Sequence, residues 1–208
     1  MTSDRTTTSY ALLGLLSVRS WTTYELAKQV RRSLNWFWPR AERKLYDEPK
    51  RLVAEGLASA EEEYTGKRRR TVYSITDGGR ADLTRWLDEP PAARSTEFEG
   101  MVKVFFADSG SLDQLRGTLD AIEADAADRL GSLREMALGP AQFPGRAHIS
   151  ALCLSLQSEQ EAAVVRWVHW AREQVSTWVG TDDPGAWDHT AVLERLSSDG
   201  VAGVGRVR

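Results

Sequence analysis

A mainly α chain with one small β-hairpin, divided into two domains, is the fold this 208-residue sequence predicts. Three observations carry that reading. A basic helical stretch from Pro39 leads to Glu55-Gly56-Leu57, and two strand-like segments follow around the cationic run Lys67-Arg68-Arg69-Arg70. Pro90-Pro91 with Ala92 to Ser95 then interrupts the pattern, as a linker does. Beyond it, apolar residues recur at three- and four-residue spacing through two long stretches, the mark of amphipathic helices. The expected organisation is a first domain over residues 1–90, an all-α domain over 96–180, and a weakly structured tail over 181–208.

Met1 to Thr8 is polar and Thr-rich, and is expected to fray. Ser9 to Val18 is strongly apolar and should form a buried first helix, with Gly14 marking the close approach of a neighbour. Thr22 and Glu25 have the spacing of a capping box, so a second helix starts there and buries Leu26, Ala27 and Val30. Trp36, Phe37 and Trp38 wedge the following turn against the core. Pro39 suits the first position of a third helix, and Gly56 is its natural stop. The ribbon pairs Leu57–Tyr64 with Thr71–Ile75, joined by Thr65-Gly66 and the basic run. Thr76 or Asp77 opens a helix that carries Leu83, Trp86 and Leu87 on one face and ends at Pro90.

In the second half, Leu115, Leu119, Ile122, Ala126, Leu133 and Met136 form one stripe, ended by Pro140 and Pro144-Gly145. A second long helix, His148 to Val179, carries Ile149, Leu152, Leu156, Ala163, Trp167, Trp170 and Trp178. A monomer of this size cannot cover both stripes, so a homodimer is expected. Trp167, Trp170 and Trp178 are either core or the lining of a pocket where a planar aromatic effector stacks. After Gly180 the pattern weakens: Thr190 to Leu196 makes one helical turn or two, and Ser197 to Arg208 is read as disordered. Cys153, the single cysteine, rules out an internal disulfide and suits a reducing cytoplasm. Between Leu152 and Leu154 it is expected to be a buried, inert thiol. No apolar run reaches the roughly 18 residues of a membrane span and no signal peptide opens the chain, so a cytoplasmic protein without membrane contact is expected.

Charge gives the first pointer to function. Residues 1–90 carry 16 Lys or Arg against 13 Asp or Glu, whereas residues 91–208 carry 11 against 17. Basic charge is concentrated further in Lys28–Arg51, with eight basic and three acidic residues, and in the hairpin run. A basic helix followed by a ribbon with a cationic tip is the pattern of a winged helix-turn-helix, which lays a helix in the DNA major groove and the ribbon on the backbone. Arg40, Arg43 and Lys44 share one helix face, and arginine grips guanine through two hydrogen bonds. The competing reading is a solvated face neutralised by Glu42, Asp47 and Glu48. Lys67 to Arg70 would meet phosphates or the minor groove, or merely protect a sheet edge. Glu61-Glu62-Glu63 faces away from DNA or pairs with the arginines at rest. His148, His169 and His189 lack metal-ligand spacing, and no phosphate loop or nucleophile elbow occurs, so neither metal, cofactor nor enzyme activity is expected.

Tyr24-Glu25-Leu26, Leu45-Tyr46, Lys50-Arg51-Leu52, Glu55-Gly56-Leu57 and the run Arg70 to Arg80 occur in one order, and together they resemble the PadR family of transcriptional regulators. The resemblance covers the first 90 residues, and the second half is similar to the longer C-terminal domain of one branch. It implies a homodimer joined by its C-terminal helices that represses transcription at a pseudo-palindromic operator. It also places Tyr46 and the neighbouring basic residues against DNA, with the wing tip in the flanking groove. Relatives include repressors released by phenolic acids or planar cationic drugs. Pro49 departs from the pattern, standing where relatives carry an apolar residue; it should bend or interrupt the third helix around Leu45 to Pro49.

The reading is thus a repressor with no cofactor that binds double-stranded DNA as a homodimer and answers to an aromatic small molecule. Arg40, Arg43 and Lys44 read bases or position the helix, Thr22, Tyr24 and Tyr46 hold phosphates, and Lys67, Arg68, Arg69 and Arg70 hold the wing; Lys50 is counted among the DNA-binding residues, although Lys50 to Glu55 is expected to pack on the core. Two alternatives stay open: a protein-interaction module on a winged-helix scaffold, and a ligand sensor with little DNA affinity.

Overall fold

A computed structural model describes residues 5–38, 45–66 and 68–202. The chain forms two compact units that divide between Arg94 and Ser95. The first contains α1 (Thr7–Val18), β1 (Trp21–Thr22), α2 (Thr23–Arg32), a 3-10 turn (Leu34–Trp36), α3 (Glu48–Ala54), β2 (Ala58–Thr65), β3 (Arg68–Ile75) and α4 (Asp77–Leu87).

Helix α1 buries Leu12, Leu13, Leu15 and Leu16, and a helix so widely apolar sits inside its unit. Of the segment expected to fray, residues 1–4 lie outside the described residues, and Arg5 is held by Glu55 and by Asp82, each at 2.8 Å. Gly14 also departs from expectation, because a Cβ there would meet nothing within 4 Å. No packing reason explains this glycine. Trp21 is buried, its indole N–H donating to the Leu15 carbonyl at 2.7 Å. It belongs to a third strand, β1, which pairs antiparallel with β3 through Trp21 opposite Tyr73. Two residues are too few to show alternation in sequence.

The capping box at α2 forms as its spacing implies. The Glu25 amide donates to Thr22 Oγ1 at 3.2 Å, and the Thr22 amide donates to Glu25 Oε2 at 2.9 Å. Of the aromatic turn, Trp38 reaches back to α1, donating to Thr8 Oγ1 at 3.0 Å, while Phe37 is exposed. The first part of the expected third helix, residues 39–44, lies outside the described residues; after it Leu45–Asp47 is a turn, and α3 starts only at Glu48, with Pro49 in its first turn and fully buried. There proline has no intrahelical bond to lose. Gly56 ends α3 at φ 72°, with its amide donating to Val53 and that of Leu57 donating to Leu52. These two bonds make a Schellman cap, which favours glycine at the left-handed position.

The hairpin differs from the reading in one respect. Register runs from Ala58 opposite Ile75 to Thr65 opposite Arg68, leaving only Gly66 and Lys67 as the connection. Arg68, Arg69 and Arg70 therefore belong to β3 and not to a loop. Gly66 at φ 61° permits so tight a turn, and Glu63 opposite Arg70 and Glu62 diagonal to Arg69 offset charge along the strand. Thr76 caps α4, accepting from the Gly79 amide at 3.1 Å, and Trp86 stacks on Tyr10 with centroids 4.8 Å apart. Leu87, expected on the same inner face, is exposed.

The second unit contains α5 (Glu99–Phe105), α6 (Leu112–Leu138), α7 (Ala147–Val175) and α8 (His189–Ala202), with short 3-10 turns at 107–109 and 144–146. Ser111 and Gln114 form a capping box at the start of α6. Leu115, Leu119 and Ile122 pack with Val168, Ala171 and Val175, so α6 and α7 make an antiparallel hairpin joined at its base. Arg129–Glu161 at 2.6 Å and Arg172–Asp120 at 2.5 Å cross between the helices. Ala126 and Leu133 continue the buried α6 stripe as its spacing implies.

On α7 the buried set is Gln157, Val168, Ala171 and Val175. Ile149, Leu152, Leu156 and Ala163 of the expected stripe are left uncovered in the single chain, and Cys153, expected to be buried, is exposed with them. The thiol is exposed because it lies on the half of α7 beyond the packed base, beside Leu152 and Leu156. The segment after residue 180 is not weakly structured up to Ala202. The Val179 and Gly180 amides donate to the Asp183 carbonyl, and Thr181 Oγ1 donates to the Gly110 carbonyl at 2.9 Å. Trp187 lies against Trp178, and α8 runs to Ala202.

Candidate nucleic-acid interface

The buried face of α2 fixes its outer face. With Leu26, Ala27 and Val30 inside, Tyr24, Lys28, Arg31 and Arg32 lie outside at i, i+4, i+7 and i+8. Tyr24 is 77% exposed. The three cations were not singled out from sequence, although their spacing from Tyr24 was the available signal. Thr22, the neighbouring candidate, is half-buried and committed to the cap: its hydroxyl accepts from the Glu25 amide and donates to Glu25 Oε2 at 2.8 Å. That donor is already used. Glu25 is held below the usual carboxylate range by the Thr22 amide, then by the Thr22 hydroxyl and by Arg19 at 3.1 Å.

Around α3 the structure separates adjacent basic residues. Tyr46 is 65% exposed in the turn, anchored by the fully buried Leu45 beside it. Lys50 is exposed. Arg51 turns inward, donating to Glu48 Oε1 at 2.5 Å and to Ser9 Oγ at 2.7 Å, with Glu55 at 3.5 Å. Its pKa is raised, chiefly by the bond to the buried Glu48. Arg51 thus braces α3 on α1. Arg40, Arg43, Lys44 and Lys67 lie outside the described residues, as does the side chain of Arg68.

Arg69 and Arg70, the wing cations among the described side chains, are both paired. Arg70 donates to Glu63 Oε2 through Nη2 at 2.6 Å and Nε at 3.1 Å, and Arg69 donates to Glu62. All four side chains are roughly half exposed. Of the two sequence readings of the glutamate run, the pairing one matches this arrangement.

In the second unit a groove of about 1000 Å³ lies between α5 and α6. Phe98, Val102, Phe106, Leu115 and Ile122 give it apolar walls, and Glu97, Glu99 and Asp125 give it an acidic rim. Trp167, Trp170 and Trp178 do not line it; they pack, partly buried, against the apolar core of the hairpin. The Trp178 indole N–H is buried there without an acceptor among the described residues. No helix among the described residues is long and apolar enough to cross a membrane.

Comparison with known proteins gives likenesses over both units. Residues 12–85 match the transcriptional regulator PadR-like family, and residues 99–176 match the virulence activator alpha C-terminal domain. The negative transcriptional regulator PadR of Bacillus subtilis is 27% identical over 167 residues, 76% of this chain and 92% of that protein. The crystal structure of Bacillus subtilis PadR in complex with operator DNA has a TM-score of 0.70 at 24% identity, covering 82% of this chain and 99% of that one. The same protein in complex with p-coumaric acid has a TM-score of 0.64 at 24% identity, covering 81% and 98%. At that identity the structural likeness speaks to the fold.

Proposed function

The chain belongs, through its residues 12–85, to the PadR-like family of transcriptional regulators, which are not enzymes, and from that premise we propose a homodimeric, sequence-specific repressor. The observation that carries this is the outer surface of the first unit, where Tyr24, Lys28, Tyr46 and Lys50 are exposed while Arg51 is spent on the fold. Exposed tyrosines and lysines of this kind donate to phosphates and set register on the duplex, leaving sequence choice to groups that reach base edges. Arg40, Arg43 and Lys44 take the base-reading role in this proposal. Thr22 acts through the cap, orienting the first turn of α2.

The unpartnered apolar stripe Ile149, Leu152 and Leu156 supports dimerisation through α7. A two-fold dimer presents two reading helices to half-sites about one helical turn apart. An aromatic effector, by analogy with the relative solved with p-coumaric acid, acts by changing that separation. The α5–α6 groove supports a site for it, being of ligand size and lined by Phe98 and Phe106.

The test is fluorescence anisotropy on the DNA upstream of the chain's own gene, and on operators selected from random oligonucleotides, across a salt series. Tight binding that outcompetes random duplex, with affinity falling steeply as salt rises, is expected. Weak binding to every sequence would overturn the proposal in favour of an interaction module.

A further inference from the structure

The cationic wing carries its own counter-charge on both faces. Side chains alternate along a strand, so Glu61 and Glu63 share one face of the ribbon and Glu62 takes the other. Arg70 stands directly opposite Glu63 and bonds it at 2.6 Å. Arg69, on the other face, reaches diagonally to Glu62. Each face of the ribbon therefore holds one arginine on one carboxylate. From Ala58 to Ile75 the hairpin has three glutamates against four lysines and arginines. Its pull on any DNA backbone is far weaker than the run of four cations suggests.

We propose that Glu62 and Glu63 are specificity-determining residues, holding Arg69 and Arg70 off DNA phosphates except where the reading elements of the first unit are seated. This rests on the DNA-binding reading above. Solvent-exposed pairs such as these are weak enough for a phosphate to displace the carboxylate. Displacement leaves a glutamate facing the negative backbone, which is a standing repulsion. On random sequence nothing holds the wing at the duplex against that repulsion. On the operator the seated unit keeps the arginines beside phosphates, where exchange is favoured by proximity. Pairing purely for fold stability would alter melting and leave the ratio of operator to random affinity unchanged.

The experiment uses the full chain with Glu62→Gln and Glu63→Gln together, titrated by anisotropy against a random-sequence duplex and against the best operator selected from random oligonucleotides. Random-duplex affinity should rise about tenfold at low salt, with the log–log salt slope steeper by up to about 2. Operator affinity should rise less, so discrimination falls. Glu61→Gln removes the same kind of charge from an exposed residue in no ion pair among the described residues, and should do markedly less. Thermal melts check folding, with Glu62→Thr and Glu63→Thr as replacements if the glutamine pair melts early. An equal rise on both DNAs, no rise, or an effect of Glu61→Gln matching that of Glu63→Gln would overturn the proposal while leaving the regulator reading intact. Failure of the unmodified chain to bind any duplex would overturn both.

Discussion

Gly79 stands so close to Leu57 that a Cβ on the glycine would lie 2.1 Å from the Leu57 carbonyl oxygen. The same carbonyl accepts the Thr76 amide at 3.1 Å, and Thr76 caps α4 through the Gly79 amide. One carbonyl thus fixes where the base of the wing meets the start of α4. Backbone cannot yield as a flexible side chain can, so Gly79→Ala should destabilise the first unit by about 1–3 kcal/mol. In a unit of this size that lowers the melting temperature by roughly 4–8 °C per kcal/mol. Gly78→Ala, whose Cβ would have 3.6 Å of room, should cost much less. Calorimetry of the two variants checks the ordering, and equal melting temperatures would contradict it.

Lys50 and Arg51 are neighbours with opposite duties, which gives a paired test. Lys50→Ala should leave stability unchanged and reduce the salt slope of DNA binding by about 1, the loss of one phosphate contact. Arg51→Ala leaves the buried Glu48 carboxylate without its guanidinium, and should cost about 1–3 kcal/mol of stability, discounted for the partial exposure of Arg51. Urea melts and anisotropy on the same two proteins separate the effects. A stability loss at Lys50 or none at Arg51 would refute the assignment.

The Glu25 carboxylate links stability to pH. Its folded pKa lies below the ordinary value because the Thr22 amide and hydroxyl and Arg19 favour the ionised form. A depressed carboxylate contributes stability that is fully present above its unfolded pKa and is lost as pH falls through its folded value. Glu25→Gln keeps the cap geometry and removes only the charge. It should therefore be less stable than the parent at neutral pH and converge with it only as pH falls below the depressed folded value. Thr22→Ala removes the cap itself, so it should cost about 1 kcal/mol even at low pH, where Glu25→Gln no longer differs from the parent, and more at neutral pH, where the hydroxyl also favours the ionised Glu25. Melting curves at two pH values distinguish these patterns.

The features legible in the sequence are those made by neighbours along the chain. The capping box at Thr22, the stop at Gly56 and the α6 stripe depend on residues within one or two turns, and local pattern specifies them. Of the site, Tyr46 and Lys50 were readable as surface candidates. The rest depends on distant partners. Strand β1 exists because Trp21 finds Tyr73, and along β3 Arg70 meets Glu63 directly opposite while Arg69 reaches diagonally to Glu62. Arg51 resembles Lys50 in sequence, and only Glu48 and Ser9 turn it inward. On α7, periodicity identified an apolar stripe that one chain cannot cover, but not that Cys153 would be exposed on the same half of the helix in the single chain.

That stripe supplies the last prediction. Leu152 is 71% exposed and Leu156 57% exposed, four residues apart with Cys153 beside them on the same half of α7. A face of this kind is costly in water, at roughly 25 cal/mol per Å² of apolar surface left uncovered. If a second copy covers it, Cys153 is shielded in the dimer and open in the monomer. Leu152→Asp or Leu156→Asp should then convert the dimer to monomer in analytical ultracentrifugation, while helical content is kept. In the same variants Cys153 should react with a small thiol reagent much faster than in the parent protein, and operator affinity should fall sharply as paired half-site binding is lost. Rapid labelling of the parent at concentrations where it sediments as a dimer would place the interface elsewhere. The α5–α6 groove, with Val102 and Phe106 exposed, would then be the surface to probe next.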